Sequence, residues 1–190
     1  MANLPSKVYQ LNVSLQGIKP SIWRCLLVEE STTLTRLHKI IQIAMGWKND
    51  HLYSFKHEKK RYERTINPHG GEDSTKRTSA TLAKLDLQEK DSLLYTYDFG
   101  DNWEHLIRIE AIHSPNSSLT YPMCLAGKRA CPPEDCGGIW EYERLLKILQ
   151  DRNHPEYQER IGWLEEEFNP EAFEEDVVNK ILHRTFHKKK

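Results

Sequence analysis

Two alternating stretches at the start of the chain constrain most of what can follow. VYQLNVSL (Val8–Leu15) alternates apolar and polar residues, and after the turn GIKP the run SIWRCLLVEE (Ser21–Glu30) alternates again. A period of two sends successive side chains to opposite faces of a strand. Two such runs around a short Gly/Pro turn predict a β-hairpin. Its apolar face needs a cover, and the next segment supplies one. After Ser/Thr residues at 31–33 that can cap a helix, Leu34, Leu37, Ile40, Ile41 and Ala44 form an amphipathic stripe. Gly46 stands where a C-terminal cap glycine belongs.

HLYSFKH (His51–His57) reads as a third strand. From Glu58 to Ala80 periodicity gives way to charge and Gly/Pro, which predicts a mobile loop over about 58–80. A leucine-bearing turn (Leu82, Leu85, Leu87) leads into a strand at Ser92–Asp98, the turn DFGDN and a strand at Trp103–Ile112. A Cys/Pro/Gly loop spans Tyr121–Gly138. Three helical stretches follow within 139–186, the first with Ile139, Tyr142, Leu145, Leu146 and Leu149 on one face and the last with Phe173, Val177, Val178 and Ile181 in step. This order predicts an α+β chain in one domain over 1–190. Its core, 8–113, reads as a β-grasp (ubiquitin-like) sheet with a helix packed on one face and the strand after the leucine turn beside the first; C-terminal helices complete it.

Composition narrows the function classes. Apolar residues make up 38% and charged residues 29% of the chain, and no run approaches the roughly 20 apolar residues of a membrane span. The opening MANLPSKVYQ lacks the apolar centre of a signal peptide, so the expectation is a cytoplasmic protein with no membrane partner. A net charge of -1 gives no global drive toward nucleic acid. The basic run Lys56–Arg64, which includes Tyr62, and the acidic run Glu165–Asp176 read as solvated faces. Four cysteines are too few for a disulfide scaffold and are expected as thiols.

The segment YTYDFGDNWEHLIRI carries the main candidate site. Alternation places Trp103, His105, Ile107 and Ile109 on one face and Glu104, Leu106, Arg108 and Glu110 on the other. A short hairpin loop would bring Asp98, Asp101 and His105 within about one residue-pair spacing. Taken alone, this is better read as a polar turn beside a hydrogen-bonded core histidine. A second element adds weight. RACPPEDCGGIW sets Glu134 and Asp135 between two prolines that stiffen the loop and two glycines that permit close backbone approach. Folded over the hairpin, it would give a cleft of Asp98, Asp101, His105, Glu134 and Asp135. Asp98, Asp101 and His105 would suit Mg²⁺, Mn²⁺ or Zn²⁺, and crowded carboxylates suit acid–base chemistry. The rival is zinc held by Cys124, Cys131 and Cys136, spaced C-x6-C-x4-C, with a fourth ligand drawn from His105 or a carboxylate. His51 is a weaker neighbour of the site. His38, off the apolar stripe, is expected at the rim or in solvent.

Together IWRCLLVEESTTLTRLHKIIQIAMGWKNDHLYSF, YTYDFGDNWEHLIRI and YPMCLAGKRACPPEDCGGIWEY resemble the plasmid Ri ORF-three-like family of bacteria and archaea, over about Val8 to Leu182. DFGD-x-W-x-H and CPPEDCGG are the most distinctive matches. The resemblance implies an association with mobile elements, for which some members are labelled transposon resolvases, and no defined activity. Serine resolvase chemistry needs a nucleophilic serine on a parallel α/β domain and arginines at the phosphate, and neither pattern is present. Two function readings result: a binding or adaptor module for a protein or nucleic-acid partner, or a small metal-assisted hydrolase-like enzyme. The first is favoured, because no nucleophile–base pair, phosphate loop or dinucleotide fingerprint accompanies the acidic residues.

Overall fold

The computed structural model describes residues 7–63, 78–164 and 167–187. In chain order these hold β1 (Val8–Leu15), β2 (Trp23–Glu29), α1 (Leu34–Met45), β3 (Tyr53–His57), β4 (Lys60–Glu63), a 3₁₀ turn (Leu82–Leu85), β5 (Ser92–Tyr97), β6 (Trp103–His113) and β7 (Met123–Lys128), then α2 (Gly138–Gln150), α3 (Tyr157–Leu164) and α4 (Glu175–Phe186). The strands form a 7-stranded sheet in the order β4-β3-β5-β6-β1-β2-β7.

The expected first hairpin and its covering helix are present. Thr33 caps α1 by accepting from the Arg36 amide at 3.1 Å, and Gly46 ends it in the left-handed conformation. The apolar face of α1 packs with the inward residues of the central strands, among them Leu11, Val13, Leu26, Ile107 and Ile109. Leu106 lies on the opposite face of β6 and is partly exposed.

The arrangement is not a β-grasp. The strand after the leucine turn, β5, pairs with β3 and β6, and the neighbour of β1 is β6; every one of these pairings is antiparallel. The physical reason is the long β5–β6 hairpin, which carries its second strand, not its first, back to β1. Hairpin, helix and strand in that order are local features, whereas strand neighbours are chosen by distant pairing, which periodicity does not report.

Two further expectations change. The 121–138 loop contains a strand: β7 pairs with β2 from Leu27↔Met123 to Trp23↔Lys128, with a bulge between Cys25 and Leu26. Part of the 58–80 loop is also ordered, since β4 pairs with β3 around a two-residue turn; residues 64–77 lie outside the described residues. At the outer edge, α4 lies against β7, and the Asn179 side chain accepts from the Cys124 N–H at 2.7 Å and donates to its carbonyl at 2.8 Å. Among the described residues, no helix is long and apolar enough to cross a membrane.

Arg24 ties the inner face together. Its side chain is buried, and its guanidinium donates to the carbonyls of Ala44 (2.7 Å), Trp23 (2.8 Å), Lys128 (2.9 Å) and Arg129 (2.8 Å). One residue thereby joins the end of α1, β2 and the entry to the 131–138 loop. Phe173 stacks on its outer side at 4.3 Å.

Candidate functional site

Three segments meet at one end of the sheet: 46–52 after α1, the β5–β6 turn at 98–102, and the loop 131–138. Asp98 organises the turn. Its backbone is left-handed (φ 53), its N–H donates to the Leu52 carbonyl at 2.9 Å, and its Oδ1 accepts from the Gly100 N–H at 2.8 Å. Aspartate is among the residues that tolerate this conformation and close such side-chain turns.

The Pro/Gly loop docks on the turn from one side and on the 46–52 segment from the other. The Gly137 N–H donates to Asp101 Oδ2 at 3.0 Å. Gly138 (φ +78) lies so close to the turn that a Cβ there would sit 2.8 Å from the Asp101 carbonyl oxygen. At the other end Trp47 Nε1 donates to the Pro132 carbonyl at 2.9 Å, and Glu134 accepts from the Lys48 N–H at 2.8 Å and the Tyr97 hydroxyl at 3.0 Å. Of the two glycines, Gly138 thus serves close backbone approach. Gly138→Ala meets both a backbone clash and an unfavourable φ, and is expected to lower unfolding free energy by about 2–3 kcal/mol. Urea titration of the variant checks this; a loss below about 0.5 kcal/mol, the usual effect of a surface change, would contradict it.

The docked loop surrounds an imidazole. His51 Nε2 lies 3.1 Å from Asp135 Oδ1, 3.8 Å from Asp98 Oδ2 and 3.9 Å from Glu134 Oε2. That nitrogen is buried and makes no well-aligned hydrogen bond. Donor atoms of His51, Asp98 and Asp135 all lie within 4.8 Å of one another, and among the described residues these are the side chains grouped, three or more together, closely enough to share a metal ion.

Of the residues read from the sequence, Asp98, Glu134 and Asp135 thus converge, with His51 as their common centre. Asp101 is engaged with Gly137. His105 stands apart: it lies opposite Tyr95, inward along β6 from the turn, and is fully buried. Its Nδ1 faces the Tyr95 carbonyl at 3.4 Å, Trp47 meets it edge-on at 5.2 Å, and burial holds its pKa down to about 4. The face assignment from alternation is correct, and that face is the core.

The cysteines form no comparable group among the described residues. Cys124 points to the Ala126 carbonyl at 3.4 Å, and Cys131 touches the Met45 sulfur at 3.1 Å. Burial raises the thiols of Cys124, Cys131 and Cys136 to about 11, 12 and 12.

His38 is buried rather than at the rim. It stacks on Tyr53 with ring centroids 3.6 Å apart, accepts from the Tyr95 hydroxyl at Nδ1 (2.8 Å) and donates from Nε2 to Asn49. A proton on Nε2 satisfies both partners. This network anchors the segment that carries Lys48 and His51. Burial lowers the His38 pKa to about 4.

A cavity of about 510 Å³ opens beside Glu134 and Asp135. Met45 and Gly46 at the end of α1, Pro132 and Pro133, and Trp163 and Phe168 complete its walls.

The model of the plasmid pRiA4b ORF-3-like protein family matches residues 7–177. The chain belongs to that family. It is 37% identical over 159 residues to the uncharacterized protein y4hQ of Sinorhizobium fredii, covering 83% of this chain and 81% of that one. It also resembles the crystal structure of a protein of unknown function, MM3350 from Methanosarcina mazei Go1, with a TM-score of 0.78 and 37% identity over 91% of this chain and 98% of the other. These family relatives carry no stated activity, so function has to be argued from the site.

Proposed function

We propose that this family member is a metal-dependent binding module whose centre is a divalent cation held by His51, Asp98 and Asp135. The observation that carries this reading is the spacing around His51 Nε2. Separations of 3.8 and 3.9 Å to Asp98 and Glu134 are too long for hydrogen bonds. They suit the edges of a coordination shell whose bonds are about 2.0–2.2 Å long. One imidazole with two carboxylates is a borderline-to-hard donor set that fits Zn²⁺ or Mn²⁺ and leaves coordination positions for a ligand. Glu134, fixed by Lys48 and Tyr97, is placed to accept a hydrogen bond from whatever fills them.

A metal-assisted hydrolase is the second reading, favoured by the cavity that opens beside Glu134 and Asp135. In that reading Glu134 is the candidate base. A link to mobile elements rests on the family's association alone.

Metal titration by calorimetry, with metal content measured after dialysis, tests the proposal. The native chain is expected to bind one Mn²⁺ or Zn²⁺. His51→Gln, which removes the ring donor, and Asp98→Asn, which keeps the turn-closing oxygen, are each expected to weaken binding by more than the roughly 10- to 100-fold that loss of a ligand's outer partner costs. Equal affinity in native and variant chains, or no heat with either ion, would reject the site.

A further inference from the structure

Two histidines at the end of the last helix play no part in the His51 centre. His183 lies in the last turn of α4 and His187 directly follows the helix, its N–H donating to the His183 carbonyl at 2.9 Å. A spacing of four residues sets both side chains on one helix face, one turn apart. Their ring centroids are 5.3 Å apart, with the ring planes 34° from parallel.

That separation suits two rings that share an ion. Metal–nitrogen bonds of about 2.0–2.1 Å at a near-tetrahedral angle place the centroids of two imidazoles about 5 Å apart. Rings that simply stack sit closer, as His38 and Tyr53 do at 3.6 Å. The His187 Nε2 is shielded from water and has no hydrogen-bond partner among the described residues, so the fold itself gives this polar atom nothing to bind. His183 is exposed, and its ring can turn to present either nitrogen. The carbonyls that end α4 add a negative partial charge at this position, which favours a cation.

The donor set decides the ion. The pair offers two neutral imidazoles and no carboxylate, and Arg184 and Lys188 adjoin it in the sequence. Such a pair holds only an ion of high intrinsic affinity for nitrogen, and in the divalent series Cu²⁺ stands at the top and Mn²⁺ at the bottom. We propose that His183 and His187 form a second, independent metal site, a two-histidine clip for Cu²⁺ whose other positions are left to water or a ligand. Zn²⁺, weaker in that series, is left to the three-donor His51 centre. A bound ion ties two residues one turn apart, and so stiffens the end of the helix whose Asn179 side chain pairs with the β7 edge.

Titration of Cu²⁺ into the full chain carrying His51→Gln, read by calorimetry and electron paramagnetic resonance, tests this. The substitution takes the first centre out, so the result does not rest on it. One Cu²⁺ is expected to bind, with nitrogen splittings from two imidazoles. Adding His183→Gln or His187→Gln should each weaken binding by roughly tenfold or more, because the helix no longer holds a second ligand at high effective concentration. The two-nitrogen pattern should disappear with it. His183 is exposed, so its variant should keep the native circular dichroism. Equal affinity and an unchanged spectrum in both variants would mean an adventitious ion held elsewhere and would overturn the site. So would a His51→Gln chain that binds no Cu²⁺.

Discussion

Arg24→Met is expected to be among the most destabilising single substitutions in the chain, lowering unfolding free energy by roughly 3–5 kcal/mol. Methionine fills much of the same space, so the loss reports hydrogen bonding more than a cavity. The four carbonyls that Arg24 serves belong to β2, the last turn of α1 and the segment leading to Cys131. Their loss unties three elements at once. Burial also lowers the pKa of Arg24, so the native chain offsets the desolvation of a cation by surrounding it with backbone dipoles, including the negative end of a helix. Guanidinium unfolding checks the size of the effect. A shift worth less than about 1 kcal/mol, the typical cost of an ordinary substitution, would show that these carbonyls find other partners. Because the 131–138 loop follows directly, metal binding should weaken in the same variant.

Acid should unfold this protein well before its carboxylates are all protonated. His38 and His105 titrate at about 4 in the fold, both chiefly because burial disfavours the charged ring, against 6.5 for the free side chain. Between those values the unfolded chain holds two protons that the folded chain excludes. The stability owed to the neutral rings is therefore complete above pH 6.5 and is lost progressively as pH falls toward 4. At 1.36 kcal/mol per unit for each histidine, the two together remove on the order of 5 kcal/mol between pH 7.5 and 4.5. Denaturant titrations at those two pH values measure it, and a His38→Gln, His105→Leu double variant should show a flatter pH dependence. An unchanged pH dependence in the double variant would assign acid sensitivity elsewhere.

Local features of the fold were legible in the sequence because their causes are local. The first hairpin, the Thr33 and Gly46 caps of α1 and the inward face of β6 follow from period, cap chemistry and alternation. β7 did not, because YPMCLAGK mixes proline, cysteine and glycine, and only Cys124 in the strand is fully buried. Its assignment depends on pairing with β2, more than ninety residues earlier. The site shows the same division. Asp98, Glu134 and Asp135 were visible as acids in rigid turns. His51 became central only through the β3–β5 pairing, which sets the start of one strand beside the end of the other. His105 drew attention through its nearness in sequence to DFGD, yet alternation had already placed it with Trp103 and Ile107. His38 was misjudged because the buried arc of α1 is wider than its apolar stripe, with Tyr53 and Tyr95 supplying a lining that accommodates a neutral imidazole.

The pairing of Asn179 with Cys124 bears on how the molecule avoids itself. A terminal strand ordinarily exposes donors and acceptors that can template a neighbouring chain. Here a carboxamide from the last helix occupies one such position as a further strand would. A chain cut before Glu175 would lose that plug, and its outermost ladder would be open to recruit another molecule. The cost of such a deletion would then appear as concentration-dependent fibrous or soluble aggregates rather than as a simple loss of melting temperature.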